Sequence, residues 1–233
     1  MPTLTPMEAE ALALSLRVGF WAVLGSLPAG LFMAWLLARV RFPGHAIVNG
    51  IVHLPLVLPP VVVGYLLLVV LGRRGVVGSL LYDWLGWSFA FSWQGAAIAS
   101  AVVAFPLLVR SIRLGLELVD RRLETAARTL GAGRFDVFWS VTVPLVLPGI
   151  ITGCVLAFAR SIGEFGATIT FVSNIPGETR TLPLALFTAT QMPGGDEAAL
   201  RIVAISCVLA FGALAASEII ARRVRRRLLG SQA

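Results

Sequence analysis

Lysine is absent from the 233-residue sequence, so all 19 basic side chains are arginines. A P-loop needs a lysine to reach the terminal phosphates of a nucleotide, and Schiff-base catalysis needs a lysine amine, so both are excluded. Charge is also scarce, because 13% of the residues are charged whereas soluble domains average about 25%. We therefore expect a chain that lies mainly in lipid and is not a conventional P-loop ATPase by itself.

Residues that bind metals or form nucleophile–base pairs are few. Cys154 and Cys207 stand in separate apolar runs without a CxxC or Cys/His cluster, so we expect both to be buried hydrophobic side chains. His45 and His53 are expected to be structural residues rather than ligands. We predict no enzyme activity, no metal site and no cofactor bound by this chain. The N-terminus has no basic segment of the kind that begins a cleaved signal peptide.

Long apolar runs make up most of the chain, which is 58% hydrophobic with a mean hydropathy of +0.88. Runs of about 20 such residues can cross a bilayer as helices, so the pattern predicts an all-α membrane protein. Prolines are expected to kink the second span. The predicted spans, about five and without an internal repeat, are Val18–Ala38, Ala46–Gly72, Gln94–Ile112, Leu147–Val172 and Ile202–Ala221. They lie in one domain, residues 10–221, between a tail of residues 1–9 and a basic tail of residues 222–233.

The distribution of arginines between the apolar runs indicates the topology. Five spans place the two termini on opposite sides of the membrane. If the N-terminus is outside, thirteen arginines lie on the inner side and five on the outer side, while Arg160 lies within a span. This asymmetry satisfies the positive-inside rule, which predicts a cytoplasmic C-terminus. The net charge of +7 is thus explained by topology, and we predict no nucleic-acid partner.

A polar segment, Leu123–Pro144, separates the third span from the fourth on the predicted cytoplasmic side. Its pattern predicts a short helix over Leu123–Leu130, a turn that Gly131 permits, and a second helix over Phe135–Val143. A helix–glycine–helix element suits a groove on a partner protein, and it also suits an interfacial helix lying on the membrane. These residues alone leave both interpretations open.

The spacing within this segment resembles the signature of type I ABC-importer permeases: Glu-Ala-Ala, three residues, Gly, nine residues, then Ile-x-Leu-Pro. The two alanines, the glycine and the closing proline are present, and Thr125 occupies the glutamate position, one residue after Glu124. In that family the element is a coupling helix that fits a cleft on the ATP-binding subunit. The resemblance implies a cytoplasmic coupling segment at residues 120–146. The implied ATPase-coupling residues are Glu124, Ala126, Ala127, Gly131 and Pro144.

Three longer stretches are similar to the permeases of molybdate importers in particular. They are HLPLVLPPVVVGYLLLVVLGRRG (His53–Gly75), FAFSWQGA (Phe89–Ala96) and LAFARSIGEFGATITFVSNIPGETRTLPLALF (Leu156–Phe187). The resemblance extends over nearly the whole chain, from about Leu12 to Glu218. The short five-span form favours this group over the longer sulfate and thiosulfate permeases, while tungstate and sulfate or thiosulfate remain alternative cargoes.

The resemblance implies a permease bundle in the bacterial inner membrane, with a periplasmic N-terminus and a cytoplasmic C-terminus. It also implies a homodimer of this chain, two cytoplasmic ATP-binding subunits that use ATP and Mg, and a periplasmic molybdate-binding protein. Transport would proceed by alternating access, with the ATPases moving the coupling segments. The outward-facing stretch Asn174–Pro193 is expected to dock the binding protein.

Charged and hydroxyl side chains within the fourth span suggest a path for an anion. Arg160 and Glu164 are four residues apart, so they are expected either to neutralise each other or to shape the electrostatics of a translocation path. The threonines nearby could donate to a passing oxyanion or bond to their own helix carbonyls. The path residues suggested by this pattern are Arg160, Ser161, Glu164, Thr168 and Thr170.

Two other classes of protein fit the sequence less well. An ion-coupled secondary transporter would show paired carboxylates at mid-membrane and repeat symmetry, but Glu164 is the only plausible buried acid. A membrane-embedded enzyme would need a nucleophile–base or metal cluster, which the scattered histidines and acids do not supply.

Overall fold

A computed structural model describes residues 4–228, within which the chain is helical and contains no strand. Four of its helices are individually long and apolar enough to cross a membrane, and a fifth span results if a bent helix pair counts as one. The elements are α1 (Pro6–Arg39), α2 (His45–Val57), α3 (Pro60–Leu71), α4 (Val76–Leu85), α5 (Trp93–Leu118), α6 (Arg121–Thr129), α7 (Arg134–Val137), a π-helical turn (Phe138–Thr142), α8 (Val143–Ile162), α9 (Gly166–Val172), α10 (Leu182–Gln191) and α11 (Asp196–Leu228).

Helix α1 begins well before the apolar run that identified it in the sequence. Thr5 and Glu8 form a reciprocal capping box, and Pro6 occupies the first helical position, where its missing N–H costs nothing. Because of this start, residues 6–9 of the predicted N-terminal tail are helical. With 34 residues the helix is about 51 Å long, well beyond the roughly 30 Å hydrocarbon core.

The second predicted span is kinked as expected, but the kink divides it into two helices. Helices α2 and α3 meet at an angle of 113° around Leu58 and Pro59. Pro59 disfavours a helical conformation in the residue before it, and Pro60 then starts α3 at its first position. The bent pair passes the length and apolarity test together, so the predicted span Ala46–Gly72 corresponds to two helices joined at the proline kink.

The fourth predicted span, Leu147–Val172, is also divided. Helix α8 ends at Ile162, and α9 starts at Gly166 after a short non-helical break. At its other end α8 continues backwards through the π-helical turn into α7, so the long apolar helix covers Phe135–Ile162. The span is thus shifted toward the coupling segment, and the polar residues predicted within it flank a break.

Helix α5 is the centre of the bundle and packs most extensively against α8 and α1. Small residues let α5 and α8 approach at backbone distance: a Cβ on Gly149 would lie 3.0 Å from the carbonyl oxygen of Ser111. Leu108 and Ile112 are fully buried at this crossing, together with Ala34 of α1. Helix α5 therefore holds the C-terminal half of α1 and the N-terminal half of α8 in place.

Helix α11 lies at the periphery, where it contacts α8 and α10. Because neighbours cover only part of its surface, large side chains such as Val208 and Phe211 are 73% exposed. Cys207 is exposed as well, so the prediction that it is buried is wrong, whereas Cys154 in α8 is half-buried.

Candidate functional site

The polar segment between the third and fourth spans contains the helix that the sequence predicted. Helix α6 begins after Asp120, whose carboxylate accepts from the backbone N–H of Arg122 at 2.9 Å. It ends at Thr129, and Gly131, two residues later, adopts a left-handed conformation with φ of +91° and has open space where a Cβ would be. None of the nine residues of α6 is buried. The helix thus stands out from the bundle as a short exposed projection.

Glu124 connects this projection to the bundle. Its Oε1 accepts from Arg39 Nη2 at 2.9 Å and from Thr142 Oγ1 at 2.9 Å. Arg39 ends α1, and Thr142 ends the π-helical turn before α8, so one carboxylate joins three elements. The Arg39 and Glu124 side chains are only 12% and 19% exposed. The Glu124 carboxylate is therefore already engaged within its own chain.

The other predicted coupling residues lie on the free surface of the segment, apart from Pro144. Ala126 and Gly131 are exposed, Ala127 is half-buried, and Pro144 lies in the first turn of α8. The exposed face also contains Leu130, at 88% exposure, which the sequence reasoning missed. Its position beside the predicted turn at Gly131 could have indicated this exposure, because an apolar side chain at the end of a short helix has no packing neighbour within that helix.

The second helix predicted for this segment, Phe135–Val143, is present, but part of it is π-helical. The turn at Phe138–Thr142 widens the helix by one residue before α8 begins. Phe135, Phe138 and Trp139 form edge-to-face aromatic pairs along its exposed side. The turn places the Thr142 hydroxyl against Glu124, a contact that no sequence pattern indicated.

The predicted path residues come together at the break between α8 and α9. Arg160 Nη1 lies 2.7 Å from Glu164 Oε2, so the ion pair spans the end of α8 and the start of the break. Glu164 is fully buried, and its Oε1 accepts from the N–H of Ala167 at 2.7 Å. A carboxylate at a helix N-terminus is stabilised by the free N–H groups there. Glu164 thus anchors α9, while 31% of the Arg160 side chain remains exposed.

The hydroxyl groups near the break donate to carbonyls of their own helices. Ser161 donates to Ala157 at 2.8 Å, and Thr168 donates to Phe165 at 2.9 Å. Thr170 donates to the carbonyl of Gly166 at 2.8 Å. Ser161 and Thr168 are buried, whereas Thr170 is partly exposed. The local bonding alternative is therefore the one that the structure contains.

The two broken helix pairs pack against each other, which the sequence did not indicate. A Cβ on Gly64 of α3 would lie 2.5 Å from the carbonyl oxygen of Ala167, and one on Gly166 would lie 2.9 Å from Pro60 Cβ. Helices α3 and α9 thus cross in direct backbone contact. Broken helices at membrane depth are tolerated where protein covers them or where they line a cavity, and in transporters they are typical of substrate sites.

Comparisons with known proteins identify the family. The family model described as binding-protein-dependent transport system inner membrane component matches residues 26–226. The chain belongs to this family of transport permeases. The permease is 63% identical to the molybdenum transport system permease protein ModB of Escherichia coli (strain K12), over 96% of this chain and 98% of that protein. The ModB protein of Haemophilus influenzae is 55% identical over 95% of this chain and 97% of its own length.

A solved structure supports the same fold. A bacterial ABC transporter involved in the import of the acidic polysaccharide alginate superposes with a TM-score of 0.73, covering 94% of the permease and 80% of the solved chain. The sequence identity is 18%, so this likeness establishes the fold alone. The chain is thus a multi-pass inner-membrane permease and a transport component rather than an enzyme.

The end of α5 that lies away from α6 contains an arginine held against an aromatic ring. The Arg17 guanidinium lies 3.7 Å from the centre of the Trp93 ring, a cation–π contact at the start of α5. The backbone N–H of Trp93 donates to Glu178 Oε1 at 3.4 Å. The Glu178 loop is further held by Asn174, which accepts from Arg180 at 2.9 Å. The stretch expected to face the binding protein is therefore a structured loop.

Both histidines have structural hydrogen bonds. His45 Nε2 lies 3.0 Å from the carbonyl oxygen of Leu37, and His53 Nδ1 lies 2.8 Å from that of Asn49. Within the described residues, no group of three or more potential ligands is placed to hold a metal ion.

Proposed function

We propose that this permease is the membrane-spanning subunit of a molybdate importer driven by ATP hydrolysis in a separate subunit. The observation that carries the proposal is the 63% identity, over nearly the full length, to a protein named as a molybdenum transport permease. Since the chain contains no lysine and no P-loop, the motor must be another chain.

The exposed α6 projection is the element that would meet the ATPase. Its exposed surface combines the small residue Ala126 with the apolar side chains of Leu123 and Leu130, which suits insertion into a groove on a partner, and it also contains arginines. Gly131 allows the chain to reverse at the end of this surface. We assign Glu124 the role of connecting α6 to α1 and α8, so that movement of α6 is transmitted to the spans. Pro144 starts the apolar helix that receives this movement.

The break between α8 and α9 is the proposed transport path. Molybdate is a dianion, and the guanidinium of Arg160 remains partly exposed to donate to it beside the two broken helix pairs, while Glu164 balances the charge of Arg160. Glu164, Ser161 and Thr168 are buried and hold the backbone of the break, so they position Arg160 rather than contact the cargo. Thr170 is partly exposed and would contact the anion weakly. Weak contacts suit transport, because the cargo must leave the path as well as enter it.

The remaining parts of the transporter follow from this assignment. We assign the N-terminus to the periplasm and the C-terminus to the cytoplasm, since this orientation places α6 and the arginine-rich tail inside. Two copies of the permease would enclose the path and bind two ATPases that use ATP and Mg. The structured loop around Asn174 and Glu178 would receive the molybdate-binding protein.

Uptake into proteoliposomes tests the proposal. The permease, its ATPase and the binding protein are reconstituted together, and molybdate uptake is measured with and without ATP. We expect ATP-dependent uptake that persists with a protonophore, with tungstate competing and sulfate in large excess failing to compete. Uptake that follows an ion gradient without ATP would refute the importer assignment. Competition by sulfate as strong as that by unlabelled molybdate would refute the cargo assignment.

A further inference from the structure

A groove runs along the contact between α1 and α8 and ends at the coupling segment. At its inner end is a cavity of about 720 Å³, bounded by α1, α5, α6 and the start of α8. Its walls include Leu31, Phe32, Val146 and Ile150, and its mouth includes Trp35. This cavity is not part of the transport path proposed at the α8–α9 break.

A second cavity continues the first toward the middle of the membrane. It has a volume of about 550 Å³ and lies between α1, α8 and α11. Leu27 lines the second cavity and Leu31 the first, one turn apart on α1. Cys154 and Ile150 have the same relation on α8. The two cavities therefore lie end to end along α1 and α8, and together they are called the groove.

The groove is long enough to hold a lipid acyl chain. It extends along α1 from Phe20 to Arg39, a rise of about 28 Å for a helix. The whole hydrocarbon core is about 30 Å thick, so an acyl chain of one leaflet fits within the groove. Residues along the wall remain partly open to the bilayer, since Phe32 is 59% exposed and Phe20 is 56% exposed.

The inner mouth of the groove has an excess of positive charge. Arg39, Arg121, Arg128 and Glu124 line it. The Arg39–Glu124 ion pair removes one charge of each sign. Among the described residues, Arg121 and Arg128 form no ion pair with a carboxylate. Two exposed guanidinium groups thus lie at one end of an apolar groove. This arrangement suits a lipid, because the guanidinium groups can bind its anionic phosphate while the groove holds an acyl chain.

We propose that the groove binds an anionic phospholipid of the inner leaflet, with one acyl chain between α1 and α8 and the phosphate between Arg121 and Arg128. The inference goes beyond the proposed function and does not depend on the cargo. It requires only that α6 lies at the inner membrane surface. Since both arginines belong to α6, the bound lipid would hold the coupling helix at a defined height relative to the bilayer.

Native mass spectrometry of the purified full-length permease, alone and with its ATPase, tests this assignment. Phosphatidylglycerol and phosphatidylcholine with the same acyl chains are titrated separately. We expect phosphatidylglycerol to bind more tightly, and the double variant Arg121→Gln/Arg128→Gln to weaken it about 30-fold, at roughly fivefold for each charge near the membrane surface. The matched control is Arg41→Gln/Arg110→Gln, which removes two exposed arginines from the same predicted side but outside the groove. This control is expected to bind like the wild type.

A second variant tests the apolar part of the groove. Ala213→Trp places an indole in the second cavity, and it should weaken lipids with long chains while short-chain phosphatidylglycerol still binds. Equal binding of the two headgroups, or equal loss in both double variants, would overturn the proposal. A change from dimer to monomer in Arg121→Gln/Arg128→Gln would also overturn it, since the groove would then be a contact between copies of the chain.

Discussion

The contact of Glu124 with Arg39 and Thr142 predicts how the coupling helix behaves when this carboxylate is removed. In a Glu124→Ala variant, both donors lose their shared acceptor at 2.9 Å. Hydrogen bonds to charged groups contribute about 1.5–3 kcal/mol each, but the pair is partly solvated, at 12% and 19% exposure. We therefore expect about 2 kcal/mol in total, which corresponds to a roughly 30-fold larger population of α6 detached from the bundle.

Hydrogen exchange measures that population in the isolated permease. Amides of α6 should exchange about 30-fold faster in Glu124→Ala, because exchange follows the local opening equilibrium. Exchange in α5 should stay unchanged. In proteoliposomes the same variant should keep ATPase binding but lose most of the transport for each ATP hydrolysed, because α6 no longer moves together with α1 and α8.

The matched control is Thr129→Ala, which removes an exposed hydroxyl on the same helix that bonds only to the Ala126 carbonyl at 2.7 Å. It should exchange and transport like the wild type. A charge reversal, Arg39→Glu with Glu124→Arg, should recover part of the protection. If Glu124→Ala left α6 exchange unchanged and instead weakened ATPase binding, Glu124 would be a direct contact to the motor, and the reasoning would be refuted.

Three further predictions concern the turn, the helix crossing and the ion pair. Gly131→Val forces a β-branched residue to adopt φ of +91°, which costs about 1–3 kcal/mol. Transport should therefore fall while membrane insertion persists, and wild-type uptake would contradict this prediction. Gly64→Leu should lower the melting temperature and uptake, because its Cβ would lie 2.5 Å from a backbone oxygen of α9, whereas Gly50→Leu, with open space, serves as the control. Arg160→Ala alone should destabilise the permease more than Arg160→Ala combined with Glu164→Gln, because the single change leaves a buried carboxylate unpaired. Thermal unfolding in detergent compares the two variants, and equal melting temperatures would contradict the pairing.

Local signals in the sequence account for much of the fold. The prolines at 59 and 60 fall where α2 and α3 separate, because proline disfavours a helical residue before it and fits the first turn of the next helix. Gly131 marks the end of α6 because its backbone must be left-handed there. Such effects act over a few residues, so they can be read from the residues themselves.

The second helix break shows where this approach fails. The apolar run Leu147–Val172 reads as one span, yet α8 ends at Ile162, just before Gly163, and α9 begins at Gly166. The reason lies in α3, whose backbone at Gly64 meets α9, an element more than 100 residues away in sequence. Likewise, the sequence placed Glu124 among the ATPase-coupling residues without indicating its partner Arg39, which is 85 residues away.

By itself the sequence determined that the chain lies mainly in lipid, that it is an all-α membrane protein and that any ATPase must be a separate chain. These conclusions follow from composition, namely long apolar runs, few charges and no lysine. The resemblance around Gly131 also indicated the coupling segment, since its spacing is local. The tertiary structure alone decided which polar groups meet. Glu124 is engaged by α1, Glu164 caps α9, and two cavities lie end to end along α1 and α8. These contacts depend on how helices distant in the chain pack together, and no local pattern encodes that packing.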